Sequence, residues 1–155
     1  MAKEFMRNAM TMARTWEPAD TGINAVSVMP VATVTGNIID VRGLVDFRIT
    51  VNIAMTGTHT TGLANLVLTC YDGDDFAYLT DYALVTAMNI KASNVVVVNF
   101  GRSYAAKLKG TSGSPALAAD ADILRVPAKI QCKITTTEIG NGTTSVASVR
   151  VHGSM

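Results

Sequence analysis

From Val45 to Met55 every odd position is apolar, and the even positions (Asp46, Arg48, Thr50, Asn52 and Ala54) are polar or small. A strand turns successive side chains to opposite faces, so this segment is expected to be a half-buried strand of an antiparallel sheet. The same alternation returns near the C-terminus. Ile130, Cys132 and Ile134 interleave with Lys129, Gln131 and Lys133, and Ala147, Val149 and Val151 interleave with Ser148, Arg150 and His152. Gly140-Asn141-Gly142 between the two runs supplies the positive φ angles of a tight reversal, so residues 129–152 are expected to form a hairpin.

Weaker strand signals fill the interval. Val26 to Val34 is β-prone, with Pro30 marking an edge or bulge, and Thr35-Gly36-Asn37 reads as a turn into Ile38 to Val41. Leu63 to Tyr71 and Phe76 to Leu79 flank Asp72-Gly73-Asp74-Asp75, a second expected turn. Val95 to Val98 is an uninterrupted β-branched run, the pattern of a strand buried on both faces. Tyr104 to Leu108 adds a short strand. About eight strands at this spacing predict an all-β fold, an antiparallel β-sandwich with a jelly roll as the leading topology.

Two segments break the period. Residues 3–16 put Met6, Met10, Ala13 and Trp16 near one helical face, which predicts an amphipathic helix or an extended arm ended by Pro18. Residues 110–122 read as a long loop. The expected organisation is an N-terminal arm over 1–20 and one β-sandwich domain over 21–155.

Composition then narrows the function classes. The chain has 155 residues, 48% of them hydrophobic, but only 16% are charged, and the formal net charge is +1. An ordinary soluble domain carries roughly 25% charge. A near-neutral chain gains little from electrostatic attraction to nucleic acid or to an anionic membrane, so neither is an expected partner. The uncharged stretch from Ile49 to Tyr71 is broken by Asn52, Gly57, Thr58, His59, Thr60, Thr61, Gly62 and Asn65, unlike a membrane helix. Lys3, Glu4 and Arg7 interrupt the apolar run that a secretory signal requires.

Candidate chemistry is sparse. Gly110-Thr111-Ser112-Gly113-Ser114-Pro115 is similar to the nucleophile loop of chymotrypsin-fold serine proteases, with His59, Asp81 and Ser112 in that family's order. Only about 30 residues separate Asp81 from Ser112, however, too few for the strands that fold places between acid and nucleophile. Asp72-Gly73-Asp74-Asp75 lacks the alternate-residue ligand spacing of a calcium loop. His59, Cys70, Cys132 and His152 lack the close-paired spacing of a zinc site. Arg102, Tyr104, Lys107 and Lys109 are the nearest approach to a nucleic-acid motif, and solvated lysines on an edge strand account for them. No enzyme activity, metal or cofactor is therefore expected. Tyr71, Asp74, Tyr78 and Tyr82, around one turn, are the residues a carbohydrate-binding module would use.

Taken together, the arm of Met1 to Asp20, the Thr/Val/Asn/Gly-rich strands and the low charge resemble the capsid decoration, or cement, proteins of tailed bacteriophages. The resemblance implies a jelly-roll protein on the capsid exterior, made in the host cytoplasm. It further implies a homotrimer that clamps adjacent major capsid proteins. On this reading Phe5, Met6, Met10 and Trp16 attach the protein to its capsid partner. The alternative reading is a receptor- or carbohydrate-binding jelly-roll module of a tail fibre, or a tail-tube-like protein.

Overall fold

The computed structural model describes residues 13–29, 33–57, 61–101, 104–110, 113–117, 127–138 and 145–155, with backbone pairing alone described over 100–117. The alternating segments become the strands β1 (Ala13–Trp16), β2 (Val26–Met29), β3 (Thr33–Asp40), β4 (Asp46–Met55), β5 (Leu63–Tyr71) and β6 (Ala77–Asn89). They continue with β7 (Asn94–Gly101), β8 (Tyr104–Gly110), β9 (Gly113–Leu117), β10 (Lys129–Glu138) and β11 (Ser145–Ser154). One four-residue helix, α1 (Pro18–Thr21), lies between β1 and β2.

All strand pairs are antiparallel, in two sheets. One sheet runs β1-β11-β4-β7-β8, with β2 pairing β11 beside β1, and the other runs β3-β10-β5-β6-β9. The central four of each, β2-β11-β4-β7 and β3-β10-β5-β6, interleave in chain order as the two Greek keys of a jelly roll. The all-β sandwich expected from the periodicity is thus the observed architecture. The inner faces meet in one core, in which Ile49, Val51, Ile53, Leu66, Leu68, Ile130, Ile134, Val149 and Val151 are at most 1% exposed.

Several expectations are corrected. Residues 129–152 do not form a hairpin: β10 and β11 lie in different sheets and face each other across the core. Alternation shows that each strand has one apolar face, but lateral and face-to-face neighbours leave the same pattern. Val95 to Val98 is buried on one face only, Val96 and Val98 inside and Val95 39% exposed. β-branched residues on the outer face mimic a doubly buried strand. Part of the predicted 110–122 loop, Gly113 to Leu117, is an edge strand pairing β6. Finally, of the two readings of residues 3–16, Ala13 to Trp16 takes the extended one, as a strand, and Pro18 opens α1 rather than only ending the segment.

Thr35-Gly36-Asn37 is likewise no turn. β3 runs through it, with a bulge where Gly36 and Asn37 together oppose Cys132 of β10. The bulge receives α1. A β-carbon on Gly36 would collide with the Thr21 carbonyl oxygen and stand 3.1 Å from that of Cys132, so only glycine fits. Asn37 Nδ2 donates to Asp20 O at 3.1 Å, and Thr21 Oγ1 donates to Val149 O at 2.7 Å. α1 therefore ties the edge of one sheet to the middle of β11 in the other, and blunts the free side of β3 against pairing with another chain.

Candidate functional site: an apolar end of the sandwich

The strand directions decide what gathers where. β4 begins, β5 ends, β6 begins and β11 ends at one end of the sandwich. That end therefore carries the 41–45 and 72–76 turns, Met155 and the start of β1, since Ala13 pairs Ser154. Among the described residues, four of the six exposed large hydrophobic side chains lie there, Val45 (38%), Phe76 (68%), Tyr78 (47%) and Met155 (41%); Ile38 stands one cross-strand row inward, and Val95 lies at the opposite end, paired with Asn52. These residues are scattered over a hundred positions in sequence, and topology alone brings them to one end.

Local chemistry holds the most exposed of them in place. Asp72 Oδ1 accepts hydrogen bonds from Asp74 N and Phe76 N, both at 2.9 Å, and Asp72 N donates to Phe76 O at 3.0 Å. The turn is thus closed by its own carboxylate, which explains Asp-Gly-Asp-Asp without a metal. Among the described residues no group of three or more His, Cys, Asp or Glu is placed to hold a metal ion. Burial pushes the Tyr78 phenol up to about 12. Burial does the same to the Cys70 and Cys132 thiols, each pushed up to about 12, so both are inert, free cysteines in the core.

Around this end several charges are paired within the chain, although Asp46 Oδ1 is buried there without a hydrogen-bond partner. Arg42 Nε donates to both Asp40 oxygens, at 3.0 and 2.9 Å, and this hydrogen bonding lowers the Asp40 carboxyl to about 2. Lys129 pairs with Asp75. Lys133 and Asp81 join across β5, and Val67 beneath them is only 7% exposed although it points to the outer face. Asp74 stands exposed at the tip of the turn.

The residues singled out in the sequence are placed as follows. Phe5, Met6 and Met10 lie outside the described residues. Trp16 is half-buried against the core, and the Arg14 guanidinium covers its ring at 4.7 Å from the centroid. Arg150 Nε donates to Glu17 Oε2 at 2.9 Å, and Thr15 Oγ1 and His152 Nδ1 are 2.7 Å apart. Trp16 therefore anchors the N-terminal segment to the body. Of the carbohydrate-type set, Tyr71 donates from its hydroxyl to Gln131 Oε1 at 3.1 Å and Tyr82 packs on the core, so the four residues form no common platform. His59 and Ser112 lie outside the described residues, and Asp81 is engaged by Lys133. Lys107 and Lys109 occupy register positions opposite Asn99 and Val97 on β8. Sequence reasoning missed Val45, Phe76 and Met155. An aromatic directly after a self-closed turn was the available signal for Phe76.

No protein-family model matches the chain, and no curated protein matches it. Among solved structures, it is similar to chains from "Structure of infectious bursal disease virus Gx strain" (14% identity, TM-score 0.48) and "Structure of infectious bursal disease virus Gt strain" (10% identity, TM-score 0.46). In both cases 92% of this chain is covered, and it spans about a third (32%) of the length of the chain it matches.

Proposed function

We propose that the chain is a non-enzymatic structural protein of a virion, which decorates the outside of a phage capsid as a homo-oligomer and clamps adjacent major capsid proteins. The observation that carries this reading is the gathering of exposed apolar side chains at the end where the N-terminal segment leaves the sandwich. Exposed apolar surface concentrated in one place marks a protein contact. The charges nearby are mostly neutralised within the chain, so little remains to attract a polyanion. Phe5, Met6 and Met10 supply a second apolar element, tethered to the body through Trp16 and β1.

The test is sedimentation of purified protein with undecorated capsids. Saturable co-sedimentation is expected, and removal of residues 1–12 should abolish it. The truncation stops short of Ala13 because β1 and Trp16 belong to the body. Full-strength binding by the truncated protein would overturn the role of the arm, and no binding by the full chain would overturn the function.

A further inference from the structure

We propose that the apolar end of one copy is the seat for residues 1–12 of a second copy, so that the subunits are joined by exchanged N-terminal segments. This rests on the reading of the chain as a homo-oligomeric lattice protein and deepens it: the segment acts on capsid binding by holding the oligomer together, so that its removal lowers capsid binding through lost avidity. Strand direction provides the first argument. β1 runs antiparallel to β11 and begins at the end where β11 finishes, so chain traced back from Ala13 heads away from its own body. To cover its own end it would have to reverse at once, yet residues 9–16 contain no Gly, Pro, Asn, Asp or Ser, and the first such turn residue back along the chain is Asn8. Twelve residues span up to about 40 Å when extended, ample for reaching a neighbour.

Chemistry provides the second argument. The segment offers Phe5, Met6, Met10 and Met12 with Lys3 and Arg7 among them. The seat offers Val45, Phe76, Tyr78 and Met155, with the acidic 72–75 turn at its rim. Apolar surface thus meets apolar surface, flexible methionines adapt to an irregular seat, and Asp74, the carboxylate of the turn left exposed, is placed to meet a cation of the segment. Exchange of this kind joins identical chains through one repeated contact, and leaves the two sheet faces free for a capsid.

Complementation between two full-length variants tests it. Variant one carries F5D and M6D in the segment, and variant two carries F76D in the seat. Phe76 is 68% exposed, and circular dichroism and a thermal melt establish that each variant is folded. The wild-type chain should self-associate by analytical ultracentrifugation, with each variant alone weakened about tenfold or more. An equimolar mixture should recover a two-chain species, because the intact segment of variant two meets the intact seat of variant one. A mixture that stays monomeric while the wild type associates overturns the exchange, as does a wild-type chain that is monomeric throughout. Capsid co-sedimentation is read separately. Complementation without capsid binding would keep the exchange and remove the decoration function, whereas arm-dependent capsid binding by monomers would do the reverse.

Discussion

Gly36→Ala probes the junction that locks the two sheets together. The added methyl cannot be accommodated by a side-chain rotation, because the atoms it meets are the carbonyl oxygens of Thr21 and Cys132. Cys132 sits in the middle of β10, paired on both sides, so α1 is the element that must move. Moving it breaks the 2.7 Å bond from Thr21 Oγ1 to Val149 O, in a place where Thr21 is 2% exposed. Overpacking of this kind costs about 1–3 kcal/mol, and the lost buried hydrogen bond adds about 1 kcal/mol. A total near 3 kcal/mol follows. With a urea m-value of about 2 kcal/mol/M, the midpoint should fall by about 1.5 M. Gly73→Ala is the control, since no atom lies within 4 Å of the new carbon and the glycine has no positive φ. It should be neutral or stabilise by up to about 1 kcal/mol. If Gly36→Ala unfolds within about 0.3 M of the wild type, the close packing of α1 against β3 is not what holds that edge.

Trp16→Ala should cost about 2 kcal/mol, roughly half the loss for a fully buried tryptophan, and detach β1. Urea melts together with faster amide exchange over residues 13–16 would show it. Alkaline stability follows from the Cys70, Cys132 and Tyr78 groups, whose folded values near 12 lie above their unfolded 9.0, 9.0 and 10.0. A raised value means the folded state resists ionisation. The stability is therefore complete below about pH 9 and is lost as pH rises toward about 12. Melting temperature should be flat from about pH 6 to 8 and drop above about pH 9, and Cys132→Ala should reduce the slope.

Where one strand has one clean apolar face, as in β4, the sequence determines it almost completely, because a single residue of slip would expose Ile49, Val51 and Ile53 together. β10 and β11 were equally visible as strands, but their partners were not, since pairing depends on residues far away. Half of β6 was hidden for a local reason. Asp81 and Ala87 adopt positive φ (52° and 56°), and the pairing with β5 slips at several points, so the alternation that marks a strand is interrupted. β9 was hidden by composition, as Gly113-Ser114-Pro115 carries turn residues on an edge where proline is tolerated. The apolar end was illegible for a different reason. Val45 reads as the first inward residue of β4, and only the turn before that strand leaves it 38% exposed.

The position of β11 has a consequence for synthesis of the chain. It is made long after β4, yet it sits inside its sheet, with β1 and β2 on one side and β4 on the other. Until it leaves the ribosome, β4 has an open edge ten residues long, Asp46–Met55, that is ready to pair with any other nascent chain. Substitutions in β11 should therefore appear first as a lower soluble yield during expression. Their effect on the melting temperature of the protein that does fold should be the smaller one.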